Sequence, residues 1–291
     1  MIPKILEGKT LAAEIRCSLP ARIAAAQSRL GRKPLLAAVH CPGDYASDVY
    51  LKKELKACEK TGIAARAHEI AKDTTPSDFI KLLRQLGSEK SVDAILVPRP
   101  LPRQLSDAAI WEHLDPKKDI DGASVSGMGR LFLCKTPAEL EAGGFFMPCT
   151  AWAVIRLLRR HGINPSGRNA AVLGRSSTVG RPLAHMLSCL DATVTLAHSK
   201  TADIAKTLSG CELVVSAVGK ARWVKADMLR PGAVVVDVGT NSDENGVFCG
   251  DVDYDAARET ASAISPVPGG VGPVTLACLL ENIVSAFEKS A

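Results

Sequence analysis

The chain has 291 residues, 46% apolar and 23% charged, with a formal net charge of +5. That is enough for two hydrophobic cores and excludes a disordered or fibrous chain, while the scattered basic residues exclude a nucleic-acid footprint. No run approaches a membrane span and no signal-peptide core follows Met1, so no membrane partner and a cytoplasmic location are expected. Nine cysteines, without CxxC or zinc spacing, are expected to be reduced thiols packed as small hydrophobes, with no metal site. Cys149, beside a domain junction, is the one cysteine to watch.

Ile2–Leu6 reads as a short edge strand and Thr10–Arg29 as a helix with Leu11, Ile15 and Leu19 on one face. Pro34–His40 is a strand, followed by a loop to Tyr45. Ser47 is the expected N-cap of a helix running to about Lys60, with Gly62 as its stop. Ile63–His68 is a strand, Ser77–Leu86 a helix and Ala94–Val97 a strand. The next run, Pro98-Arg-Pro-Leu-Pro102, must be extended because a residue before proline avoids helix. A helical turn at Trp111–Leu114 leads to Lys118-Asp-Ile-Asp121-Gly122. Lys135–Gly144 reads as a flexible junction, and Thr150–His161 as a helix.

The stretch Asn169–Leu187 carries the strongest local signal. A short apolar run, Ala170–Leu173, breaks at Gly174, passes hydroxyl-rich Ser176–Thr178, and restarts at about Pro182 with helical spacing. Strand, glycine-bounded turn and helix start is a layout that points backbone N–H groups at a phosphate. A tight turn without a ligand would look the same. Three further apolar runs (Val194–His198, Leu213–Gly219 and Ala233–Gly239) each end in small or polar residues, as a doubly wound parallel sheet requires. A helix follows Gly250–Asp253. Ser265–Pro273 is glycine-dense and proline-framed, a loop that would let another molecule approach the backbone closely. A final helix, Val274–Phe287, is apolar on one face and is expected to pack on the first domain.

In order along the chain, the motifs are Ser47-x-x-Tyr50, Pro100-Leu-Pro102, Lys118-Asp-Ile-Asp121-Gly122, Pro148-Cys-Thr150 and Gly174-Arg-Ser176-x-x-Val-Gly180-x-Pro182. Then come His198-Ser199-x-Thr201, Asp237-Val-Gly239, Gly250-Asp-Val-Asp253 and Pro266-Val-Pro-Gly-Gly-Val-Gly-Pro273. As an ordered set they resemble the bifunctional methylenetetrahydrofolate dehydrogenase/methenyltetrahydrofolate cyclohydrolase family over nearly the full length. The resemblance implies an α/β fold of two domains: a Rossmann-like, doubly wound NAD(P)-binding domain at 148–271 and an α/β substrate domain at 1–147 and 272–291. It also implies a folate cleft between them and a homodimer. By position, Tyr50 would stack on the pterin and Asp121 would bond its amino edge. Pro266–Gly270, with Gly269 and Gly270, would line the folate. Gly174, Arg175 and Ser176 would hold the cofactor phosphates, and Thr240 would sit by the nicotinamide. Arg175 and Ser199 match positions that grip a 2′-phosphate, which favours NADP over NAD.

The departures concern chemistry. The family's Tyr-x-x-x-Lys places a lysine four residues after the tyrosine, where this chain has Glu54. The family's Val-Gln-Leu-Pro-Leu-Pro is here Val97-Pro-Arg-Pro-Leu-Pro102, so the glutamine is replaced by Pro98. Ala123 and Ser124 replace Phe-His. On a helical wheel Glu54 lies about 40° from Tyr50, towards Leu51, Leu55 and Cys58, with Lys53 on the wetter side. Glu54 is expected to act with Tyr50 and Asp121 in the catalytic set, with Arg99 lining the substrate. Glu54 has Arg99 or Lys53 as potential ion-pair partners, although Glu54 and Arg99 would equally suit two water-facing side chains.

Cyclohydrolysis needs a proton-handling group, so losing Lys and Gln predicts a weak or absent step unless Glu54 serves as base. Hydride transfer needs positioning, and a carboxylate beside the carbon would favour the developing cation by at most roughly 4 kcal/mol at contact. The expected activity is therefore NADP-dependent oxidation of methylenetetrahydrofolate. The alternatives are a paralogue recut for another iminium or one-carbon substrate, and a catalytically silent folate- or nucleotide-binding protein.

Overall fold

A computed structural model describes residues 2–105 and 112–290; Trp111 of the expected turn lies outside them. The elements in order are β1 (Lys4–Ile5), α1 (Lys9–Leu30), β2 (Leu35–His40), α2 (Tyr45–Thr61), β3 (Ala64–Glu69), α3 (Pro76–Ser88), β4 (Ala94–Leu96), α4 (Val125–Leu133), α5 (Pro137–Ala142) and α6 (Cys149–Arg160). There follow β5 (Asn169–Leu173), α7 (Gly180–Cys189), β6 (Thr193–Ala197), α8 (Ile204–Ser209), β7 (Leu213–Ser216), β8 (Val234–Asp237), β9 (Asn241–Ser242), β10 (Phe248–Cys249), α9 (Tyr254–Thr260), β11 (Ala263–Ile264) and α10 (Val271–Lys289).

The chain divides into two compact units. One comprises Met1–Ala13, Leu131–Gly143 and Pro148–Thr275; the other comprises Glu14–Arg130, Gly144–Met147 and Leu276–Ala291. This differs from the expected boundaries at both ends and in the middle. The reason at the N-terminus is hydrogen bonding: β1 pairs in parallel with β11, Lys4 against Ala263 and Ile5 against Ile264. β1 is thus the edge strand expected, but of the other sheet.

In the first unit, six strands run in the order β1-β11-β8-β7-β5-β6, and every adjacent pair is parallel. The strand order reverses at β5, whose successor β6 lies on one side and whose next partner β7 lies on the other. In doubly wound sheets, ligands bind outside the carboxyl ends of the strands at such a point. The central strands β7 and β8 are buried throughout, which explains their unbroken Leu/Val runs. Val214, Val235, Ala171 and Ile264 form the core beneath them.

In the second unit a three-stranded parallel sheet, β3-β2-β4, packs Ala37, Val39 and Ile95 against Phe79, Leu83 and Leu86 of α3. The helix α2 starts earlier than expected. Its N-cap is Asp44, not Ser47: the extended Asp44 backbone lets its carboxylate accept the Ser47 N–H at 2.9 Å. Gly62 ends the helix with φ +85° as expected. Lys135–Gly144, expected to be flexible, holds α5, fixed by a reciprocal cap between Thr136 and Glu139.

Seven of the nine cysteines are buried, Cys149 among them, Cys41 is half-buried and Cys17 is exposed. Contrary to the reading that no run approaches a membrane span, α10 is long and apolar enough to cross one, but 61% of that window is buried. Val274, Ala277, Leu280, Ile283, Val284 and Phe287 are core residues, so length and composition alone make this resemblance.

Candidate active site

The turn after β5 is shaped by two glycines. A Cβ on Gly174, whose φ is +104°, would lie 2.2 Å from the Ala217 carbonyl oxygen in the turn after β7. A Cβ on Gly180 would lie 1.9 Å from the Gly174 carbonyl oxygen. Only glycine permits both approaches, and they bring the β5 and β7 turns together where the strand order reverses.

The donors available there differ from the expectation. The first N–H groups of α7 are already used: Gly180 N–H reaches Ser176 Oγ at 3.3 Å and Arg181 N–H reaches the Ser176 carbonyl at 3.1 Å. Pro182 has no N–H to offer. The N–H groups left without a partner among the described residues belong to the turn itself, Arg175 to Thr178. Arg175 and Ser176 are exposed, so Ser176 shapes the turn while its neighbours face outward. Ser199 follows β6, the neighbour of β5, and Thr240 follows β8; both are exposed. The turn's unpaired donors and exposed guanidinium suit a phosphate-bearing cofactor.

Two buried carboxylates brace these loops, a role the sequence reading did not assign. Asp251, 0% exposed, accepts from Ser216 Oγ (3.0 Å), Val218 N–H (2.6 Å), Lys220 N–H (3.1 Å) and Asn241 Nδ2 (2.9 Å). It thereby fixes the β7 turn that Gly174 touches. Asp237 accepts from the N–H groups of Gly239, Asp251 and Val252; burial nevertheless pushes its carboxyl up to about 6. Added Cβ atoms would reach 2.2 Å from Asp251 at Gly239 and 1.9 Å from Asp237 at Gly250. The pairing of Asp with a nearby Gly in Asp237-Val-Gly239 and Gly250-Asp251 was the available signal.

At Pro266–Gly270 the structure shows a close approach by the chain itself. The molecule that approaches its glycines closely is this chain: Gly8 N–H donates to the Gly269 carbonyl at 2.8 Å, and a Cβ on Gly8 would lie 2.0 Å from the Gly270 oxygen. Gly269 and Gly270 are buried, whereas Pro266 and Val267 are half-buried and Pro268 is exposed.

The other expected residues belong to the second unit. Tyr50, on α2, is 40% exposed. One turn later Glu54 is 6% exposed, in line with Leu51 and Cys58, while Lys53 is exposed, as the wheel places them. Glu54 Oε2 is buried without a hydrogen-bond partner. Burial, with the charge of Asp121 second, pushes the Glu54 carboxyl up to about 8. No ion pair of Glu54 with Arg99 or Lys53 is found among the described residues, and its burial rules out the alternative of a water-facing side chain and favours the neutral carboxyl. Glu54 in turn adds to the burial that pushes the Cys58 thiol up to about 12.

Asp121 is half-buried in the loop after β4, and Arg99 is half-buried in the run that follows that strand. Asp119 shapes the loop by accepting the N–H groups of Ala123 (3.0 Å) and Ser124 (2.6 Å). Ser124 Oγ accepts the Gly127 N–H at 3.1 Å, capping the start of α4.

A family model described as tetrahydrofolate dehydrogenase/cyclohydrolase, catalytic domain, matches residues 6–121. A second, the NAD(P)-binding domain of the same family, matches residues 148–291. A protein named bifunctional protein FolD from Elusimicrobium minutum is 56% identical over 285 residues, covering 98% of this chain and 99% of its own. The crystal structure of the bifunctional FolD methylenetetrahydrofolate dehydrogenase/cyclohydrolase from Campylobacter jejuni is 35% identical, with TM-score 0.91 and 99% of both chains covered. The Trypanosoma brucei dehydrogenase-cyclohydrolase, solved with NADP and an inhibitor, is 34% identical, with TM-score 0.89 over 99% of this chain and 98% of that one. The parallel six-stranded sheet, the glycine turn at its reversal and these full-length matches lead to one conclusion: the chain belongs to the tetrahydrofolate dehydrogenase/cyclohydrolase family.

Proposed function

We propose that the protein oxidises methylenetetrahydrofolate to methenyltetrahydrofolate with NADP as hydride acceptor, and that its cyclohydrolase step is weak or absent. Glu54 carries the second half. Where the resemblance implies a lysine, this chain buries an acid that stays protonated at pH 7 and has another acid, Asp121, in its field. At pH 7 only about a tenth of Glu54 is in the ionised form that could take the proton of an attacking water, so it is a poor replacement for the lost base. Pro98, with neither N–H nor polar side chain, cannot replace the glutamine.

Hydride transfer asks less of these side chains. Tyr50 offers an exposed ring on which a pterin can stack, and Asp121 offers an acceptor for its amino edge. The bound cofactor supplies the hydride acceptor. Arg175 is matched to the 2′-phosphate, and the N–H groups of its turn to the phosphates common to both nucleotides.

NADP is favoured over NAD by the end of β6. An acidic residue there would select the free ribose hydroxyl of NAD; this chain has Ala197-His-Ser-Lys-Thr201 instead, beside the Arg175 turn. The Trypanosoma brucei relative was solved with NADP, which agrees. The recut-paralogue reading loses one of its supports because Ser124 caps α4; that departure serves the fold. Purified protein given methylenetetrahydrofolate should form NADPH, and NADH more slowly. NADP binding without reduction would leave a silent binding protein.

A further inference from the structure

We propose that Asp251 is a positioning residue for the nicotinamide half of the cofactor, holding the turn after β7 and the loop after β8 in one arrangement before the nucleotide arrives. The inference rests on the NADP reading above and says how the second half of that molecule is received. A dinucleotide lies across the point where the strand order of such a sheet reverses. Here β6 lies on one side of β5, and β7 and β8 lie on the other. With the phosphates on the β5 turn and the adenosine half towards β6, the nicotinamide half extends over the ends of β7 and β8.

Those two strand ends meet on one buried side chain. Asp251 Oδ2 accepts from Ser216 Oγ and the Val218 N–H, while Oδ1 accepts from the Lys220 N–H and Asn241 Nδ2. The first three donors belong to the end of β7 and its turn, the fourth to the loop after β8. The backbone of Asp251 is fixed as well, because its N–H donates to Asp237 Oδ1 at the end of β8 at 3.0 Å. Gly239 leaves room for the carboxylate, since a Cβ there would lie 2.2 Å from Asp251 Oδ1. The brace leaves one donor on each loop turned to other uses. The N–H groups of Gly219 and Thr240, both exposed residues, have no partner among the described residues. They suit the ribose and carboxamide oxygens of a nicotinamide nucleoside. Loops ordered in advance spare the ligand the cost of ordering them, and they fix the ring from which hydride chemistry is measured.

Asp251→Asn turns one carboxylate oxygen into an NH2 group. Ser216 or Asn241 can rotate to accept from it, but the backbone N–H on that side, of Val218 or Lys220, loses its acceptor. Adenosine 2′,5′-bisphosphate, which lacks the nicotinamide half, should bind this variant within about twofold of the wild type, as expected of uncoupled sites. The nicotinamide emission of bound NADPH should be less anisotropic in the variant than in the wild type, because the ring is no longer held. At saturating NADP, kcat should fall at least about tenfold, the cost of a misplaced reacting group. Asn241→Ala removes only the tie from the loop after β8 and should act in the same direction, by about threefold in kcat; it decides the matter if the first variant does not fold. The inference is overturned if the bisphosphate weakens in step with kcat, which would make Asp251 a support of the whole domain. It is equally overturned if bound NADPH keeps its wild-type anisotropy. Wild-type protein that binds neither nucleotide would instead overturn the cofactor reading, and this inference with it.

Discussion

Burial of Glu54 makes a prediction about stability that needs no substrate. Its carboxyl is raised from the ordinary 4.5 to about 8 in the folded protein, so between these values the native state holds a proton that the unfolded chain has lost. Stability then falls as pH rises through that window, by at most about 1.4 kcal/mol per pH unit. Across the whole interval this amounts to roughly 5 kcal/mol as an upper bound, because water admitted on ionisation returns part of it. Glu54→Gln keeps the shape and removes the titration. Urea unfolding of both proteins from pH 5 to pH 9 should show the variant gaining on the wild type up to about pH 8 and holding level above it. A difference that does not change with pH, or a wild type that gains on the variant as pH rises, would refute the burial argument.

Two further variants test the nucleotide turn. Gly174→Ala forces a Cβ to 2.2 Å from the Ala217 oxygen at φ +104°; a stability loss of about 1–3 kcal/mol is expected, with at least tenfold weaker NADP binding by fluorescence titration. Unchanged affinity would show that the turn does not hold the cofactor. Arg175→Ala should weaken NADP binding ten- to a hundredfold, the equivalent of about 1.5–3 kcal/mol for a charge-assisted contact, and NAD binding by less than about threefold. Equal losses would place the guanidinium on a phosphate common to both.

Periodicity was a good guide where one physical requirement acted alone. Strands buried on both faces must be apolar without interruption, so β5, β7 and β8 stood out in the sequence. The helical wheel placed Glu54 among Leu51 and Cys58, and the structure buries it there. What stayed hidden depended on distant or competing partners. β1 has only two paired residues, and nothing local says that they bond to β11. Asp44 and Ser47 both favour an N-cap, and only backbone conformation decides that Asp44 accepts and Ser47 donates. α4 contains Gly127 and Gly129, poor helix formers, and its start is visible only once Ser124 is seen to cap it. In Ser265–Pro273 the glycine density correctly marked a close approach, but glycines do not reveal whether a ligand or Gly8 comes near. The ionisation state of Glu54 was the costliest omission, since sequence shows an acid but not the loss of its water.

The proposed loss of hydrolysis, with hydride transfer kept, turns on a buried, mostly protonated acid where a lysine is expected. The most direct measurement is the disappearance of methenyltetrahydrofolate at pH 7, followed by its absorbance with and without enzyme, on protein first shown to reduce NADP with methylenetetrahydrofolate. The account predicts the same rate in both, that of spontaneous hydrolysis. A rate that rises in proportion to enzyme concentration would contradict it.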